Sequence, residues 1–193
     1  MTYNGCFPAD YLAERVQLSR ARAYGFHYKL GQASSPGDPL SQRFLSGLHS
    51  AGWRIIHVQR RNLFRQAISA MIAQERGVWH DTSPAAWKVR IDAKRLLAAL
   101  KNAEIADLAH RAIMGKLPHL PVTYEDDLLR PECHQETAGR VFAFLDVPPA
   151  PVVAKYHRST TSRLVDCVAN YEEIVRAVSR TRYARYLEAS GDE

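Results

Sequence analysis

An α/β fold built on a mostly parallel central sheet is what this sequence predicts, and three observations carry the prediction. Short apolar runs, of which Ile55, Ile56 and Val58 within Trp53–Gln59 are the clearest, have the length and composition of strands buried on both faces. Between such runs lie segments whose apolar residues recur at helical spacing. Strands that alternate with helices pack as layers around a parallel sheet. The 193 residues suit one domain, residues 1–193, with a sizeable core.

The elements follow in order. Asp10–Arg22 carries Leu12 and Val16 at helical spacing and predicts a helix. Ala23–Leu30 alternates loosely and is rich in aromatics, which predicts a strand. Ala33–Pro39 is a loop, and Leu40–Ser50 a short helix with Phe44, Leu45 and Leu48 on one side. Trp53–Gln59 is the buried strand. Leu63–Arg76 is the strongest helix: Phe64, Ile68, Met71 and Ile72 form one apolar stripe, with Arg65, Gln66 and Ser69 on the other side. Ser83–Lys116 reads as helical in two pieces, and Leu120–Tyr124 as a further strand. Pro131–Leu145 is a helix with Ala138, Val141, Phe142 and Leu145 on one face, ended by Asp146–Pro151. A loop from Val152 to about Ser162 precedes a terminal helix from Tyr171 onward.

Composition narrows the function classes. The formal net charge is +6, and arginine heavily outnumbers lysine. A basic balance suits anionic partners, and arginine suits bidentate contact with phosphate, although a solvated basic surface gives the same count. No recognised nucleic-acid motif accompanies the charge, so nucleic acid is not an expected partner. No apolar run reaches the roughly 20 residues of a membrane span, and Met1–Asp10 has neither a basic nor an apolar signal region. The three cysteines, Cys6, Cys133 and Cys167, show neither metal-ligand spacing nor a disulfide framework. The expectation is a cytoplasmic protein that needs no metal.

Chemistry concentrates in Trp53–His80. A strand ends in Arg60 and Arg61, a helix starts almost at once, and Ser69 follows Arg61 by eight positions. A guanidinium at the strand end, a hydroxyl on the helix and the positive helix N-terminus can close on one phosphate dianion. On spacing alone, a charged loop residue and a serine facing solvent or bonded to its own backbone are the commoner reading of the same residues.

This segment resembles the 3′-phosphate-binding part of sulfotransferases that use 3′-phosphoadenosine 5′-phosphosulfate, above all the bacterial group that sulfates sugars and glycolipids, the trehalose and nodulation-factor type. The residues that carry the likeness are Arg60, Arg61, Asn62, Gln66, Ala67, Ser69 and Trp79. Three further segments agree in order: Gly25–Leu30, ending near Lys29; Val122–Glu132, with Tyr124 and Glu125; and Val165–Leu187, with Asn170, Tyr171 and Glu172. The resemblance spans about Tyr24–Leu187. It implies a three-layer P-loop-like fold, a nucleotide phosphosulfate as donor and a carbohydrate or glycolipid hydroxyl as acceptor, with a homodimer possible. It implies that Arg61 and Ser69 bind the 3′-phosphate with Arg60 beside them, and Lys155 and Arg158 fall where the family often has a mobile loop near the nucleotide.

The family's Ser/Thr/Gly loop between its first strand and first helix has no counterpart, because Met1–Cys6 is too short to supply strand, loop and helix. Two other functions therefore stay open: a nucleotide-binding module that transfers nothing and, on charge alone, a nucleic-acid-binding protein. Pro8–Leu12 has the form in which the sugar-directed group carries its catalytic acid, which makes Asp10 the candidate general base. An aspartate there also suits a helix N-cap.

Overall fold

A computed structural model describes residues 9–29, 39–77, 88–154 and 163–188, and the chain is mixed α/β. Its contacts divide it into two units, one of residues 1–59 and 105–152, the other of residues 60–104 and 153–193.

The first unit contains helices α1 (Ala9–Leu18) and α2 (Pro39–Ser50) and strand β1 (Ile56–Gln59). β1 pairs in parallel with Leu120–Thr123, numbered β2 below, in the register Ile56↔Leu120 to Gln59↔Thr123. Parallel strands need a long crossover, and the intervening chain contains the two central helices, α3 (Leu63–Arg76) and α4 (Ala93–Met114). Among the described residues the sheet has these two strands. β2 passes into a single wide turn of helix, Tyr124–Leu128, closed by the Leu129 N–H on the Tyr124 carbonyl at 2.7 Å. A 3-10 turn at Pro131–Cys133 then leads into α5 (His134–Leu145). α5 stops at Asp146, which adopts φ 57°, a left-handed conformation that a short polar side chain tolerates better than a branched one.

The core of this unit joins Leu12 of α1, Leu45 and Leu48 of α2, and Ile113 and Met114 at the end of α4. Phe26, Tyr28, Phe44 and Trp53 pack around them, with Phe26 edge-on to Trp53 at 5.4 Å between ring centroids. The strand expected at Ala23–Leu30 is not one over its described residues, Ala23–Lys29. Its alternation is nonetheless present: Tyr24, Phe26 and Tyr28 are half-buried, and Ala23, Gly25, His27 and Lys29 are exposed. Aromatic contact with Trp53 and Phe44 sets these faces without a hydrogen-bonded ladder. The apolar run of β1 is also less buried than expected. Val58 is 59% exposed, whereas Val122, its partner in register, is 3% exposed.

The second unit is built on α3, whose ends are both encoded locally. The Asn62 side chain accepts the Arg65 N–H at 3.0 Å, capping the start, and Gly77 at φ 64° supplies the left-handed stop. The expected stripe of Phe64, Ile68, Met71 and Ile72 is buried. It meets Leu96 and Leu100 of α4, Val89, Ile91, Leu164, Val168 and the helix α6 (Tyr171–Ser179) through Ile174 and Val178. Burying each large aliphatic or aromatic side chain contributes about 1.5–3 kcal/mol.

The two-piece helix expected over Ser83–Lys116 is, where described, one helix, α4. Asp92 accepts the Arg95 N–H at 2.7 Å and fixes its start. Ahead of it the chain is extended, and Val89 forms a parallel bridge with Val168. The terminal helix is shorter than expected. α6 ends at Ser179, because Thr181 donates its hydroxyl to the Val178 carbonyl at 2.7 Å and accepts the Tyr183 N–H at 3.2 Å. A 3-10 turn, Arg182–Ala184, and α7 (Arg185–Glu188) follow.

Candidate anion-binding site

Arg60, Arg61 and Asn62 form the turn that enters α3. Asn62 is buried and anchored twice. Besides capping α3, it donates from Nδ2 to the Tyr186 carbonyl at 3.1 Å, which ties the start of α3 to α7. Arg60 is half-buried and Arg61 exposed. Ser69, half-buried, lies about 9 Å along the helix axis from Leu63 at about 1.5 Å per residue. The first turn of α3 contains no acidic residue, so no carboxylate there competes with an anion for the positive helix end.

Arg65 departs from the expected polar face. It stands one helical turn before Ser69 and is only 7% exposed, while Gln66 is exposed as expected. Positions four apart on a helix share a face, so Arg65 adds a charge to the side of α3 that carries Ser69. A buried charge is costly unless it is paired, and sequence periodicity, which sorts residues only as polar or apolar, gives no sign of this burial.

The other candidates fall elsewhere. Asp10 lies in the first turn of α1, in the first unit, and is not part of the α3 segment. The described span of α1, Ala9–Leu18, includes Asp10. Lys29 is exposed. Lys155, Arg158, the hydroxyl run Ser159–Ser162 and Trp79 lie outside the described residues.

Two signature segments are structural organisers. In the first unit Asp127 accepts the Thr123 N–H at 2.6 Å on Oδ2 and Arg140 Nη1 at 2.5 Å on Oδ1, and its carbonyl accepts the Thr137 hydroxyl at 2.9 Å. Arg140 also donates to the Pro121 carbonyl at 3.0 Å, so β2, the wide turn and α5 are locked together. In the second unit Asn170, which precedes α6, bonds through its side chain to Ile91 and leaves the helix end uncapped. The sequence pattern marks both segments, but the partners Arg140 and Ile91 have no signal in spacing.

A histidine cluster in the first unit was also unforeseen. The rings of His57 on β1 and His119 just before β2 stand edge to face, 5.5 Å apart. Burial, followed by the positive potential of His119 and His110, holds the His57 imidazole below its ordinary pKa, and Asp107 opposes this in part. Among the described residues no group of three or more histidine, cysteine, aspartate or glutamate side chains is arranged to hold a metal ion, and no helix is long and apolar enough to cross a membrane.

No family model matches the chain, and neither does any curated protein or solved structure.

Proposed function

We propose that this protein is a cytoplasmic sulfotransferase that moves a sulfuryl group from 3′-phosphoadenosine 5′-phosphosulfate to a hydroxyl of a carbohydrate or glycolipid. One observation carries the reading: the Arg60–Arg61–Asn62 turn opens a capped helix whose first turn lacks acid and whose second turn presents Ser69. In this reading the parallel pair β1–β2 belongs to a three-layer P-loop-like fold.

The roles follow from the chemistry of the groups. Arg61 grips the donor's 3′-phosphate through paired N–H donors, and Arg60 adds charge beside it. Ser69 donates its hydroxyl to the same phosphate, and the N-terminus of α3 adds its dipole. Lys155 and Arg158 contribute further cations to the nucleotide. Sulfuryl transfer, like phosphoryl transfer, depends on alignment and electrostatic stabilisation. The acceptor oxygen bonds to sulfur as the bond from sulfur to the phosphate oxygen breaks, and the nucleotide bisphosphate leaves. Asp10 accepts the proton of the acceptor hydroxyl. The chain acts as a monomer or a homodimer without nucleic acid or metal.

Incubation with sulfur-labelled donor and a panel of carbohydrate and glycolipid acceptors tests the reading. Label should pass to at least one acceptor and fall sharply with Arg61→Ala. Absence of transfer to every acceptor, with nucleotide binding intact, would replace the enzyme with a binding module.

A further inference from the structure

We infer that the β1–β2 pair carries a proton-operated latch at the contact of His57 with His119, closed while His57 is neutral and loosened when His57 takes up a proton. The geometry supports this directly. The parallel register places His57 opposite Pro121, so His119, two positions before Pro121, lies on the same face of the sheet and one strand over. The rings meet edge to face at 5.5 Å. His119 Nδ1 sits 2.8 Å from the Leu117 carbonyl, which can only accept, so that nitrogen carries the hydrogen and a neutral His119 keeps Nε2 bare. A proton added to His57 therefore places a half-buried positive charge against the edge-to-face ring contact that joins the two strands.

The charged and titratable groups around His57 come from two directions. His119 faces it from the segment before β2, and His110, Asp107 and Arg111 face it from the end of α4. Asp107 is the one anion of this set, and it is already bonded to Arg111 at 2.9 Å. The set as a whole resists a positive charge on His57, in agreement with its lowered pKa.

The sign is fixed by linkage. In the unfolded chain His57 titrates near 6.5, and in the folded protein it titrates lower. The unfolded or opened state thus binds protons more readily as pH falls past about 6.5. The contribution of His57 is complete above that value and is lost as pH drops from it toward the folded pKa. Function at neutral pH would leave the latch closed, and an acidic setting would open it.

The test uses the full chain and two measurements. The first is an NMR titration of the histidine ring protons, with His57 assigned by His57→Gln or, if that variant does not fold, by elimination using variants at the other histidines. The second is amide exchange in β1 and β2 at about pH 7.5 and about pH 5.5, corrected for intrinsic rates. The latch requires a His57 midpoint below about 6.5 and strand exchange that rises at the lower pH, by up to about tenfold for one proton taken up one pH unit below 6.5. It also requires a smaller rise in His57→Gln or His119→Gln. A His57 midpoint at or above 6.5, or strand exchange independent of pH, would overturn it.

Discussion

Asn170 treats Ile91 as a strand neighbour would: its side-chain oxygen accepts the Ile91 N–H at 2.9 Å and its side-chain nitrogen donates to the Ile91 carbonyl at 2.9 Å. The pair continues, by side chain, the parallel bridge that Val89 makes with Val168, where the backbone bonds are also 2.9 Å. Both Ile91 and Asn170 are buried, so water cannot replace these bonds.

Asn170→Ala leaves two buried backbone groups of Ile91 unmatched and should lower unfolding stability by about 2–6 kcal/mol, since each orphaned group costs about 1–3 kcal/mol. Asn170→Asp keeps the acceptor but turns the donor into an anion facing a carbonyl, and should be no better tolerated. Urea unfolding of the two variants checks both, and a loss below about 0.5 kcal/mol for Asn170→Ala would mean that the Ile91 bonds contribute little.

Asp127 gathers three bonds from β2 and α5 with its carboxylate and carbonyl. Asp127→Ala removes the charged acceptor of two of them and should cost about 1.5–3 kcal/mol. Arg140→Ala should cost less, because its side chain is partly exposed. The order of the two losses in urea unfolding is the result to read.

Ile68 and Leu96 sit fully buried in the core of the second unit. Truncation to alanine at either position should cost about 2–5 kcal/mol, since the surroundings relax only partly into the cavity. Calorimetric melting of the variants measures it.

Asn62→Ala should cost about 0.5–2 kcal/mol from the lost cap, with more from the lost tether to Tyr186. Asn62→Asp retains the capping oxygen but not the donor to Tyr186, so its loss relative to the parent reports the tether and the further loss in Asn62→Ala reports the cap.

The helices were legible where local signals agree. Leu63–Arg76 matches the expected span because a cap residue, an apolar stripe and a stop glycine coincide in sequence. β1 and β2 were legible as apolar runs, but Val58 shows that such a run does not report which face is covered. Ala23–Lys29 shows the converse: aromatic packing imposes a two-residue period on a segment outside the sheet. In the candidate site, the sequence shows Arg60, Arg61 and Ser69 flanking the start of α3, and the burial of Arg65 has no local signal, since it depends on neighbours distant in sequence. The contact of His57 with His119 is a matter of strand register, which no local pattern encodes.

Calorimetric binding of adenosine 3′,5′-bisphosphate separates a working 3′-phosphate site from a merely charged turn, because this nucleotide keeps the 3′-phosphate and lacks the sulfate. The parent chain should bind it, and Arg61→Ala and Ser69→Ala should each weaken binding by about 1 kcal/mol or more, roughly fivefold. A parent chain that does not bind, or variants that bind as tightly as the parent, would contradict a working site.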